Sequence, residues 1–232
     1  MEYQRNLKYY KSNDKHFYVG IIILGVGGLL FALGNFLRLR FLPSQTPISM
    51  IIMGIGAVVA FVPSSGRSGE ADIDEAVLSM TRDYGKETEE NVRITLSRRI
   101  KPAVIGDYVY DGEDILVRRG RTDRKYRTSK YAVSALLFTK DGIYIAQKTF
   151  SLIEDSVTET EMEFIFEDME SICAECEERV FDEKNKTKIW FLVIKENGKE
   201  PARLPVKYNA TVDKLCDDVS NAMAEAKAAK KS

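Results

Sequence analysis

Histidine is almost missing from this chain: His16 is the only one in 232 residues. That removes most histidine-based acid–base catalysis and most zinc sites. Cysteine is scarce as well. Cys173, Cys176 and Cys216 are too few, and odd in number, for a disulfide framework, and they fit a reducing compartment. With a formal net charge of -1, no overall excess of one sign draws the molecule to nucleic acid. Charge is also missing locally: between residues 17 and 62 only Arg38 and Arg40 carry any.

That uncharged stretch implies a membrane. FYVGIIILGVGGLLFALGNFL (Phe17–Leu37) would reach ~31 Å as a helix, the thickness of a hydrocarbon core. A secretory signal would be shorter and would end in small residues, whereas this run ends in NFLRLR. PISMIIMGIGAVVAFVP (Pro47–Pro63) comes next, delimited by prolines and short enough to need some bilayer thinning. The expected layout is a tail over 1–16 and a transmembrane hairpin over 17–66, with spans 17–37 and 47–64. Arg5, Lys8, Lys11 and Lys15 in the tail, joined by Arg67, outnumber Arg38 and Arg40 in the loop. The positive-inside rule then places both termini in the cytoplasm of a cell whose plasma membrane holds the hairpin. Small residues at spacing four, Gly28 to Ala32 and Gly56 to Ala60, suit close helix packing, including assembly of a homo-oligomer. LGVGGL is no phosphate loop, since no strand precedes it and no Lys-Ser/Thr comes after it. Neither span holds an ionisable residue that could serve an ion pathway.

SSGRSG (Ser64–Gly69) reads as a flexible exit, and 67–105 as a helical connector. Glu70, Asp72, Asp74 and Glu75 crowd its start and Arg98, Arg99 and Lys101 its end, as a helix dipole favours. Ile73, Val77 and Met80 or Tyr84 make one stripe, and Val92 with Leu96 another, with a break expected near Gly85. Pro102 ends the segment. From Gly106 the apolar period falls to two. Seven strands are expected, over 107–119, 131–139, 143–148, 161–167, 171–181, 188–196 and 202–206, separated by turn signals such as KDG and ENGKEP. IWFLVI is apolar on both faces, so its strand should be central or covered. Val212, Leu215, Cys216, Val219, Met223 and Ala226 then mark a C-terminal amphipathic helix, with Asn209 as its N-cap.

Several motifs carry little chemistry. Cys173-Ala-Glu-Cys176 lies inside an expected strand, where positions three apart face opposite sides, and no second pair completes a metal site. Glu167–Asp168 and Glu177–Glu178 suggest acid–base work only if a nucleophile or pocket accompanies them. No enzyme and no cofactor are expected. RRGRTDRKYRTSK is different. Arg118, Arg119, Arg121, Arg124, Lys125, Arg127 and Lys130 face one acid, Asp123, while residues 131–232 hold 14 Lys/Arg against 20 Asp/Glu. A basic patch beside an acidic domain points away from general nucleic-acid binding.

Seven short antiparallel strands followed by one amphipathic helix is the element order of the pleckstrin-homology-like (PH-like) fold. LLFTKDGIYI and FIFEDMESI, behind two N-terminal spans, resemble bacterial PH-like membrane proteins, although the long helical connector departs from that pattern. The resemblance implies that 106–232 forms a half-open barrel plugged by the last helix. It also implies that the seven basic residues, on the first hairpin, are where PH domains hold phosphorylated headgroups. The expected function is a membrane-anchored, non-enzymatic module that binds anionic lipid headgroups or a protein partner. The alternative is a two-span antiviral-type effector whose β-domain senses a phosphorylated small molecule. The plain counterpart to both is a long hairpin kept soluble by its charge.

Overall fold

The computed structural model describes residues 2–12, 15–36, 45–62, 66–91, 96–97, 100–112, 114–182 and 185–231. Arg38, Arg40, Ser64, Val92, Arg98 and Arg99, each of which carried an expectation above, lie outside the described residues. The chain divides into two compact units, Glu2–Gly69 and Glu70–Ser232.

In the first unit, α1 spans Tyr3–Lys11, α2 Lys15–Phe36 and α3 Gln45–Phe61. Over Lys15–Gly34, α2 is long and apolar enough to cross a membrane, while Pro47–Phe61 makes α3 a shorter apolar helix. The two pack antiparallel, and glycine lets their backbones touch. A Cβ at Gly20 would collide with the Ala60 backbone, one at Gly56 would stand 2.5 Å from the Leu24 nitrogen, and one at Gly27 2.9 Å from the Met53 nitrogen. The spacing-four reading therefore holds on α3, at Gly56 and Ala60. On α2 the contact falls instead on Gly20 and Gly27, seven residues apart, a repeat suited to left-handed packing; Gly28 meets nothing within 4 Å. Beyond α3 the chain ties back to α1. Ser68 donates to the Asn6 side chain (2.6 Å), and Arg67 donates to the Ser12 hydroxyl (2.9 Å).

The second unit begins with α4 (Glu70–Asn91), which runs without a break. Gly85, expected to interrupt it, instead admits β1: a Cβ there would stand 2.7 Å from a Val104 methyl. The strands are β1 (Ala103–Tyr108), β2 (Val117–Arg119), β3 (Tyr126–Thr128), β4 (Lys130–Phe138), β5 (Gly142–Ser151), β6 (Val157–Ile165), β7 (Met169–Asp182), β8 (Asn185–Glu196) and β9 (Lys199–Pro205), before α5 (Ala210–Lys231). The expected first strand, 107–119, is in fact two. The chain leaves β1 at Tyr108, and Val117–Arg119 pairs with Tyr126–Thr128 in a separate hairpin. All sheets are antiparallel: β1-β4-β5-β6, β2-β3 and β7-β8-β9.

Burial explains the order. Leu136, Phe138, Ile143 and Ile145 of the first sheet meet Ile172, Leu192, Ile194 and Leu204 of the third in one core. IWFLVI is the central strand of its sheet, and its second face, Ile189, Phe191 and Val193, forms a small cluster with Tyr110. On α5, Val212, Leu215, Val219 and Met223 complete the main core. The Asn209 side chain caps the helix, accepting from the Thr211 (2.8 Å) and Val212 (3.3 Å) nitrogens.

Removing the α5 face should therefore undo the β-domain. Leu215→Ala should cost ~2–5 kcal/mol. Denaturant unfolding can be monitored through Trp190, the single tryptophan, which stacks on Tyr208 with ring centres 3.9 Å apart. An unchanged midpoint after truncation at Tyr208 would show that α5 is not part of the core.

Candidate functional site: the basic hairpin and the cleft at its base

The β2–β3 hairpin does not project freely. Its hub is Arg127, whose side chain is 2% exposed. A buried guanidinium needs partners for its planar fork. Arg127 Nε and Nη2 donate to the two Asp74 oxygens at 2.8 and 2.6 Å, and Nη1 and Nη2 to Asp123 at 3.1 and 2.7 Å. Asp74 lies on α4, and so does Glu70 one turn earlier. Glu70 accepts from the Arg121 backbone nitrogen and from that of Thr122 (3.4 Å). The Tyr108 hydroxyl also donates to Asp74 (3.1 Å). Gly120 is where these groups converge: a Cβ would collide with Asp123 and stand 2.8 Å from Arg127 Nη1 and 3.1 Å from Glu70.

The seven basic residues therefore divide. Arg127 and Arg118 are buried, and Arg121 and Lys130 are half-buried. Arg119, Arg124 and Lys125 are exposed. Arg119 lies over the Tyr126 ring (5.5 Å) and donates to the Arg124 carbonyl (3.2 Å). Arg124 sits at the tip with φ +60, a conformation unusual for a side-chain-bearing residue. The Asp123 carboxylate accepts from the Lys125 nitrogen (3.0 Å), closing the turn. Sequence reasoning treated all seven alike and missed Glu70 and Asp74. The available signal was complementarity: an acidic helix start, EADIDE, facing the most basic segment of the chain.

Below the hairpin a cleft of about 440 Å³ opens between α4, β1, β3, β4 and β8. Asp107, Tyr108, Tyr126, Tyr131, Lys125 and Lys207 are among its lining residues. Burial pushes the Asp107 carboxyl up to about 6, against its own backbone hydrogen bond and the charge of Lys207. At Asp123 the hydrogen bond from Arg127 holds the carboxyl down to about 2. Burial raises Asp74, but Arg127 outweighs it and leaves that carboxyl below its usual range.

The other candidates are scattered. Glu167 pairs with Lys230 (2.7 Å), Glu178 with Lys186 (3.0 Å) and Glu177 with Arg203 (2.5 Å). Cys173 is half-buried on β7 and Cys176 exposed, and burial pushes both the Cys173 and the Cys216 thiols up, Cys216 to about 11. Among the described residues no group of three His, Cys, Asp or Glu is placed to hold a metal ion.

Substitution and pH separate the structural cation from the exposed ones. Arg127→Ala removes the buried cation that Asp74 and Asp123 share and should cost ~3–5 kcal/mol, whereas Arg124→Ser at the exposed tip should stay within ~0.5 kcal/mol. The pH dependence has two signs. The depressed carboxyls of Asp74 and Asp123 stabilise the fold above 3.8; the Asp123 contribution is lost as pH falls through about 2, and the Asp74 contribution is likewise lost on acidification. Asp107 is raised, so its contribution is complete below 3.8 and lost as pH rises through about 6. Asp107→Asn should thus raise stability at pH 7 by less than ~3 kcal/mol and not at pH 3, as read by denaturant midpoints.

No protein-family profile matches the chain, and neither a curated protein nor a solved structure does.

Proposed function

We propose that this chain is a membrane-anchored, non-enzymatic binding module: α2 and α3 form a transmembrane hairpin, and a PH-like domain recognises an anionic lipid surface. The carrying observation is the element order around the basic hairpin. Four core strands (β1, β4, β5, β6) precede three (β7, β8, β9) and then a helix. The β2–β3 hairpin is inserted in the first connection, where PH domains carry headgroup-gripping cations. Because Arg127 is held internally, the surface offered to a headgroup narrows to the tip: Arg119, Arg121, Arg124 and Lys125.

The membrane reading draws support from the antiparallel packing of α2 and α3, which places the start of α2 and the end of α3 at one end of the pair. The α1 helix, carrying Arg5, Lys8 and Lys11, bonds to Arg67 and Ser68 at that end. Four or more cations thus gather on one side, where an anionic cytoplasmic leaflet would attract them.

Each cation near such a leaflet is worth ~1 kcal/mol. Arg121→Ser with Arg124→Ser should accordingly weaken binding to phosphatidylserine liposomes on the order of 30-fold, and wild-type binding should fall as salt rises. Equal binding by both proteins would sink the lipid role. Orientation is read separately by labelling, after the three cysteines are changed to serine. A cysteine at Ser44 should react with an impermeant reagent in intact cells and one at Ser232 should not.

A further inference from the structure

Of the four tip cations only Lys125 also lines the cleft beneath the hairpin, so a ligand in the cleft does not depend on the lipid role. Its surfaces differ in chemistry. Tyr108 from β1, Tyr126 from β3 and Tyr131 from β4 supply aromatic lining. The Tyr108 hydroxyl is engaged by Asp74, and the Tyr131 hydroxyl by Thr81 (3.3 Å), so these two rings offer a guest mainly carbon surface. Lys125, Lys188 and Lys207 bring three amines to the same cleft, all on exposed residues. Arg127 adds little to that excess, because Asp74 and Asp123 already occupy it. Deeper lies Asp107. Its Oδ1 accepts from the Tyr108 nitrogen (2.8 Å), and among the described residues no side chain donates to it.

We propose that this cleft binds a mononucleotide-sized ligand, with a nitrogen-bearing ring among the tyrosines, a ring N–H or amino group donating to Asp107, and a phosphate held at the rim by Lys125, Lys188 and Lys207. The volume is adequate for such a molecule, since small-ligand sites run from about 300 to 1,000 Å³. Aromatic side chains stack on the face of any nucleobase. Lysine is a hydrated point charge suited to a phosphate that stays near solvent. The arrangement also selects against two simpler anions. Inorganic phosphate has no body for the ring surfaces. An inositol phosphate carries charge around its whole ring, so inserting it would bring like charge against Asp107.

The test is calorimetric titration of the full chain in phosphatidylcholine nanodiscs with AMP, GMP, CMP, UMP, inorganic phosphate and inositol trisphosphate. At least one mononucleotide should saturate below ~1 mM and bind about tenfold or more tightly than either simple anion. Lys188→Ala with Lys207→Ala should weaken that nucleotide by about tenfold, while Arg121→Ser with Arg124→Ser leaves it unchanged. Asp107→Asn should move the ligands in opposite directions, weakening the nucleotide and strengthening inositol trisphosphate, which a merely structural carboxylate would not do. Trp190 fluorescence checks that each variant is folded. The proposal is overturned if no nucleotide saturates, if the double lysine variant binds as wild type does, or if inositol trisphosphate is the tighter ligand. Failure at the tip with success in the cleft would remove the lipid role and leave this one standing.

Discussion

A guanidinium with 2% of its surface exposed has to be answered by carboxylates, and the ones that answer Arg127 come from two different elements. Asp123 belongs to the hairpin's own turn; Asp74 belongs to α4. One side chain thereby fixes the shape of the turn and the seat of a 22-residue helix. The consequences run outward along α4. Glu70 reaches the hairpin backbone, Asp74 holds Arg127 and Tyr108, Thr81 meets Tyr131, and Gly85 lets Val104 approach. These positions recur at three, four or seven residues, so one helical face makes every contact. Ile73 (1% exposed) and Val77 (7%) supply the apolar part of it. Burying an ion pair gives little net stability, but breaking one is costly. The role of Arg127 is therefore registry: few other arrangements of the hairpin and α4 would satisfy three charges at once.

The β-domain was legible wherever burial obeys a simple period. Strands β4 to β9 and α5 fall where alternation and the 3.6-residue stripe put them, and Asn209 caps as its residue type suggests. The failures share a cause. At 107–119 the alternation continues while the chain turns away after Tyr108, because nothing local marks that the partner strand changes from β4 to β3. Gly85 reads as a helix breaker by propensity, about 1 kcal/mol against alanine, yet close approach to β1 decides its role. The same limit applies to charge. Composition shows how basic the hairpin is, but which arginine is structural depends on a helix more than fifty residues upstream. Net charge describes a surface only after such pairs are subtracted.

The hairpin and the cleft present two groups of cations where the sequence suggests one, and Lys125 belongs to both. Arg119, Arg121 and Arg124 lie near the turn, whose backbone holds Arg124 at positive φ. Lys188 and Lys207, distant in sequence from the basic run, join Lys125 at the cleft. The acidic composition of 131–232 hides these two lysines, since Glu177, Glu178 and Glu167 are balanced by Arg203, Lys186 and Lys230 elsewhere. The two groups differ in chemistry: guanidinium groups near the turn, and amines beside tyrosine rings.

The cleft and the Arg127 cluster share Asp74, Tyr108 and Arg127 itself. Val77 and Leu78 extend the α4 contribution to the same lining. If α4 left the sheet, the cleft would lose one side and Tyr108 its hydroxyl partner. A guest that binds only the intact cleft therefore stabilises the docked helix, by an amount that grows with ligand concentration over its dissociation constant. Linkage makes this reciprocal: whatever loosens α4 weakens the guest by the same factor. Since α4 is the segment by which the chain passes from the apolar helices to the β-domain, its docking is what a guest in the proposed cleft would stabilise.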